Sequence, residues 1–107
     1  MKEWFYLFIA ILLEVLGTTS MKLSQGFTNI WASILIFVFY SLSFIAFTLA
    51  LKRLELSISY AIWAAVGTAA ITLIGILYFN EPITLIKIIS ILLIILGVAG
   101  LRLEGII

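Results

Sequence analysis

The sequence predicts an all-α membrane protein of four transmembrane helices, and three observations carry that expectation. Apolar residues make up 65% of the 107-residue chain and charged residues only 10%, giving a mean hydropathy of +1.37, far from the balance of a soluble domain. The apolar residues gather into long runs, each able to supply the roughly 20 residues that a bilayer-crossing helix needs. Between the runs lie only short polar stretches, S24-Q25-G26-F27-T28-N29, L54-E55-L56-S57 and N80-E81-P82. These are too short for an aqueous catalytic domain, so residues 1–107 read as one four-helix membrane domain and not as an enzyme.

Helix 1 is expected over residues 4–21. Lys2 before an apolar run imitates a secretory signal, but Glu14 interrupts the run and no A-x-A-like cleavage site follows, so retention is expected. The segment closes at a polar stretch with Gly26 in a helix-stopping position. Helix 2 is expected over 30–51, stopped by Lys52 and Arg53, and helix 3 over 56–79. Helix 4 is expected over 83–103, with Pro82 suited to its first turn and Lys87 near enough to the end to snorkel. Trp4 and Trp31 stand near span ends, where tryptophan forms an interfacial belt.

With four spans, Lys2, Lys52, Arg53 and Arg102 share one side of the membrane, and Lys22 and Lys87 the other. The bias is weak and leans towards cytoplasmic termini, weak enough to let the chain insert in both orientations. With no Cys and no His, disulfides, thiol chemistry and the usual transition-metal ligands are excluded. A net charge of +1 with scattered basic residues leaves no nucleic-acid footprint. The expected setting is a cell inner (plasma) membrane, and no cofactor or metal is implied.

Glu14 is the residue that asks for a reason. An acidic side chain at the centre of a membrane helix costs about 2.5–3.5 kcal/mol, judged from the value for Asp. Helical spacing puts Leu7, Ala10, Ile11, Gly17, Thr18 and Met21 on its face. Gly17 leaves room for a close backbone or a bulky ligand, and Thr18 adds a hydroxyl one turn away. Lys22 lies two turns off, too far to pair with it, and marks the water interface. A structural hydrogen bond to a neighbouring helix is the plain alternative, but the absence of a basic residue from the middle of any span points to a working carboxylate.

Two aromatic faces could complete a site. On helix 3, Tyr60, Trp63, Ala64 and Gly67 fall at i, i+3, i+4 and i+7, and on helix 2 Tyr40, Ser43, Phe44 and Phe47 share a face. Such stripes are usually packing, the reading that suits Phe47, yet beside a buried carboxylate an aromatic wall attracts cations, each contact contributing about 0.5–2 kcal/mol. The same carboxylate can take a proton instead of a cation. Proton and organic cation would then compete for one charge, and exchange follows if the protein opens to one side at a time. Four short helices do not easily enclose such a site, so an oligomer is expected, a dimer being the smallest. Ser90, Gly97 and Gly100 on helix 4 offer a small-residue contact, Ser90 and Gly97 lying two turns apart on one face.

The motifs E14-V15-x-G17-T18-T19-x-M21-K22, S24-x-G26-F27-T28 and Y60-A61-I62-W63-x-x-V66-G67 resemble the small multidrug resistance family, in particular its quaternary-ammonium branch, over essentially the whole chain. The resemblance implies a proton-coupled antiporter that exports aromatic and quaternary ammonium cations and works as an antiparallel, dual-topology homodimer. Glu14 matches the family's shared proton and substrate carboxylate. Tyr60 and Trp63 match the aromatics lining the site, and Tyr40, Ser43 and Phe44 match helix 2 positions near it. The family's helix 4 glycine pair is here Ser90 and Gly97, a partial match. Its x-G-V-G stretch is here A64-A65-V66-G67, which leaves Val66 and Gly67 as the hinge candidates.

Three other readings remain open at this point. The family's guanidinium exporters typically carry Trp three residues after the helix 1 Glu, and T-G-I-G after Y-A-x-W; here those positions hold Gly17 and A64-A65-V66-G67. A small polar cation needs fixed hydrogen-bond partners, whereas Gly17 suits a bulky one. The chain could be one half of a heterodimeric pair with a homologue. It could also be a non-transporting accessory subunit in which Glu14 serves assembly alone.

Overall fold

Residues 2–104 are described by a computed structural model, in which four helices follow in the expected order: α1 Lys2–Ser24, α2 Ile30–Ala50, α3 Leu56–Tyr78 and α4 Leu85–Glu104. Each is long and apolar enough to cross a membrane, and there is no strand among the described residues.

The helix ends differ from the sequence expectation for identifiable reasons. α1 runs on past Met21 to Ser24, which places Lys22 in its last turn, where a cation suits the helix dipole. Three successive residues then adopt left-handed backbone: Gln25 at φ 49°, Gly26 at 70° and Phe27 at 69°. Gly26 does so freely, whereas a side chain there adds about 1–2 kcal/mol at each of Gln25 and Phe27. Ser24 offsets this. Its hydroxyl donates to Met21 O at 2.8 Å and accepts the Phe27 N–H at 3.3 Å, and its carbonyl accepts the N–H groups of Thr28 and Asn29 at 2.9 and 3.0 Å. Asn29 then caps α2, its side-chain oxygen accepting the Ala32 N–H at 3.2 Å.

α3 closes on a left-handed Asn80, φ 57°. The N–H groups of Phe79 and Glu81 both donate to Gly75 O, at 3.1 and 3.0 Å. Glu81 folds back over this turn, and a Cβ at Gly75 would lie 2.7 Å from its carboxyl carbon. Pro82, expected in the first turn of helix 4, stands outside it. Thr84 is the cap, its hydroxyl accepting the Lys87 N–H at 3.0 Å, so α4 begins at Leu85 rather than 83. The Lys87 ammonium reaches back to donate to Pro82 O at 2.8 Å.

The chain divides after Leu54 into two compact units. In the first, α1 packs on α2. Ala10 and Gly17 on α1 and Ala32, Ser43, Ala46 and Ala50 on α2 are buried, and such small residues let two membrane helices approach closely. Leu7, Ile11, Val15 and Ile36 are the larger buried side chains. In the second, α3 packs on α4. Ser59, Ala65, Gly67 and Gly75 of α3 are buried, while none of the described side chains of α4 is. Large apolar side chains such as Phe37, Tyr78, Ile86 and Leu96 are exposed, which a lipid-facing surface tolerates and a water-facing one would not.

Candidate functional site

Glu14 stands near the middle of α1, half-buried, and Thr18 one turn later donates its hydroxyl to Glu14 Oε1 at 2.8 Å. That bond departs from the pattern of the neighbouring hydroxyls. Thr19 and Ser20 donate back to their own helix, to Val15 O and Leu16 O at 2.8 and 2.9 Å, as helix hydroxyls commonly do. Thr18 points its donor at the carboxylate side chain instead.

α2 supplies the next member. Tyr40 places its phenol oxygen in hydrogen-bond contact with Thr18 Oγ1, and the same oxygen lies 3.9 Å from Met21 Sδ, a weak acceptor. Gly17 makes this approach possible. A Cβ there would stand 2.8 and 2.9 Å from Cδ2 and Cε2 of the Tyr40 ring and 3.4 Å from Phe39 Cβ. The room that Gly17 leaves is therefore taken by Tyr40. Phe44 packs one turn along α2 from Tyr40, ring centroids 5.9 Å apart at 52°.

Ser43 is also oriented by α1. It is fully buried, 0% exposed, and donates to the Ala10 carbonyl at 2.7 Å. Leu7, one turn before Ala10, is buried as well. In the second unit, Tyr60 and Trp63 form a tilted pair on α3, centroids 5.8 Å apart at 56°; Tyr60 is 58% exposed and Trp63 half-buried. α3 is unbroken through Val66 and Gly67. On α4, Ser90, Gly97 and Gly100 are exposed, and a Cβ at either glycine would meet nothing within 4 Å. Among the described residues of the second unit, nothing packs closely enough against Gly97 or Gly100 to require a glycine.

The first unit thus gathers Glu14, Gly17, Thr18 and Tyr40 into one hydrogen-bonded cluster, with Ser43 fastening the two helices a turn away. Met21, which helical spacing puts on the Glu14 face, joins the cluster through its contact with the Tyr40 phenol. The hydrogen-bond donor to the carboxylate is thus a neutral hydroxyl and not a lysine or arginine.

A profile of the Small Multidrug Resistance protein family matches residues 2–94. The chain belongs to the small multidrug resistance family. It is similar to the uncharacterized membrane protein YvaE of Bacillus subtilis, with 48% identity covering 94% of this chain and 85% of the relative. It is similar to the quaternary ammonium compound-resistance protein QacG of a Staphylococcus strain, 40% identical over 96% of each chain. It is similar, too, to the multidrug resistance protein mmr of Mycolicibacterium paratuberculosis, 38% identical over 95% of this chain and 96% of the relative. A small multidrug resistance chain with four spanning helices and bacterial relatives is a multi-pass protein of the bacterial inner membrane.

Proposed function

We propose that this chain is a proton-coupled antiporter that exports bulky organic cations, aromatic and quaternary ammonium, and that Glu14 binds proton and substrate in turn. The observation that carries the reading is the Glu14 carboxylate itself, half-buried in a spanning helix with Thr18 as its hydrogen-bond donor. A charge in that position is expensive unless used. The names of QacG and mmr, a quaternary ammonium resistance protein and a multidrug resistance protein, point the same way.

In this reading residues 1–107 are one transporter domain, and Tyr60 and Trp63 are aromatic substrate-binding residues. Tyr40, Phe44, Ser43, Gly17, Thr18 and Leu7 shape the carboxylate side of the site, and Val66 and Gly67 serve as the hinge. The working form is an antiparallel homodimer with Ser90, Gly97 and Gly100 at its contact, which gives their exposed, small surface a use. The cycle moves ions and, apart from proton transfer to and from Glu14, changes no covalent bond; the proton gradient drives it and no cofactor takes part.

The test is reconstitution of the chain alone in liposomes, recording substrate-driven currents for tetraphenylphosphonium, a quaternary ammonium and guanidinium, with wild type and Glu14→Gln. Currents for the two bulky cations that vanish in Glu14→Gln are expected. Currents for guanidinium alone would move the chain to the other branch, silence for all three would point to a paired homologue, and wild-type export by Glu14→Gln would sink the carboxylate's role.

A further inference from the structure

We propose that Thr18 and Tyr40 form a two-hydroxyl relay that carries the proton between Glu14 and water at the α1–α2 loop end of the membrane. The proposal rests on the reading of Glu14 as a proton and cation site. Its basis is the polarity of the hydrogen bonds.

Thr18 owns one hydroxyl proton and gives it to Glu14 Oε1 at 2.8 Å. Its contact with Tyr40 is then one that Thr18 accepts and Tyr40 donates. While Glu14 is a carboxylate, the order is Tyr40 O–H to Thr18 O–H to Glu14. When Glu14 is an acid, the whole order can reverse, Glu14 O–H to Thr18 to Tyr40, with the phenol proton directed at Met21 Sδ, 3.9 Å away. Every hydroxyl has a partner in both orders, so the chain has two complete states set by one proton.

Its direction is also defined. From Glu14 to Met21 is seven residues of α1, about 10 Å of helix, and Met21 stands one residue before Lys22, the charged residue in the last turn of α1 that marks the water interface. Towards the start of α1 the Ser43 hydroxyl is already engaged with Ala10 O at 2.7 Å and does not extend the chain. In the transfer step, a hydronium at the Tyr40 end gives its proton to the phenol oxygen. The phenol proton moves to Thr18 Oγ1, and the Thr18 proton moves to Glu14 Oε1. Hydronium becomes water, carboxylate becomes acid, and each hydroxyl keeps one proton. On release the same bonds run backwards.

The measurement is stopped-flow proton release from the full chain in detergent. Tetraphenylphosphonium is added, at a concentration that saturates each variant, in weak buffer with a pH-indicating dye. Wild type should release protons and Glu14→Gln none; no release from wild type overturns the reading beneath the relay. Tyr40→Phe and Thr18→Val should slow release by about tenfold or more, and Thr18→Ser should restore the wild-type rate. Release at the wild-type rate in Tyr40→Phe overturns the relay and leaves the carboxylate reading standing. A Thr18→Ser as slow as Thr18→Val counts equally against it, since the hydroxyl would then not be the working part.

Discussion

A methyl group at Gly17 is the sharpest probe of how the two helices of the first unit support Glu14. In an exposed helix, Gly→Ala stabilises by about 1 kcal/mol through backbone entropy. At Gly17 the added Cβ would meet Tyr40 Cδ2 and Cε2 at 2.8 and 2.9 Å. The ring would have to retreat by about 0.6 Å to reach ordinary contact at 3.4 Å, and overpacking of this kind destabilises by about 1–3 kcal/mol. The retreat would also draw the phenol off Thr18, giving up a bond that contributes about 1 kcal/mol. The propensity gain roughly offsets the bond, so a net loss of about 1–3 kcal/mol is expected. Denaturant unfolding of the detergent-solubilised protein measures it, and a double-mutant cycle isolates the cause. In a Tyr40→Ala background the ring is gone, and Gly17→Ala should become neutral or stabilising. A Gly17→Ala penalty of equal size with and without the ring, or no penalty at all, would refute the argument that Gly17 exists to admit Tyr40.

Two further outcomes follow from the same geometry. Ser43→Ala removes the bond to Ala10 O and should lower unfolding stability by about 0.6 kcal/mol, at most about 1.7, the range of side-chain bonds between membrane helices; unchanged stability in the same assay would mean the clip contributes nothing. Trp63→Ala should weaken binding of aromatic cations by about 2- to 30-fold, the worth of one cation–π contact, and small aliphatic cations less. Equal losses in calorimetric titrations of both classes would contradict a stacking role.

The spans were legible because hydropathy acts over the whole length of a helix, and a run such as Ile30–Ala50 leaves little choice in a bilayer. Their ends were less so. Gly26 was readable as a stop, but left-handed backbone at Gln25 and Phe27 depends on bonds to Ser24, which no propensity encodes. Likewise Pro82 suited a first turn in isolation and lost that place to the Thr84 cap. Within the site, the Glu14–Thr18 bond could be expected from a spacing of four on one helix. The Thr18–Tyr40 contact could not, because it depends on the register of α2 against α1 across 22 residues of chain. Gly17 shows the limit most clearly: its small size was visible in the sequence, while the side chain that fills the space was not.

The Ser43 bond to Ala10 bears on how this protein can move. It acts as a depth gauge between α1 and α2: sliding one helix past the other by a single turn, about 5.4 Å, would strip the hydroxyl of its acceptor inside the apolar core. Piston-like shear between these two helices is thereby disfavoured, and a rocking motion that keeps them as one rigid blade is not. In an antiporter cycle, Glu14, Thr18 and Tyr40 would ride on that blade together, so the proton-bearing cluster would face each side of the membrane with its internal geometry intact.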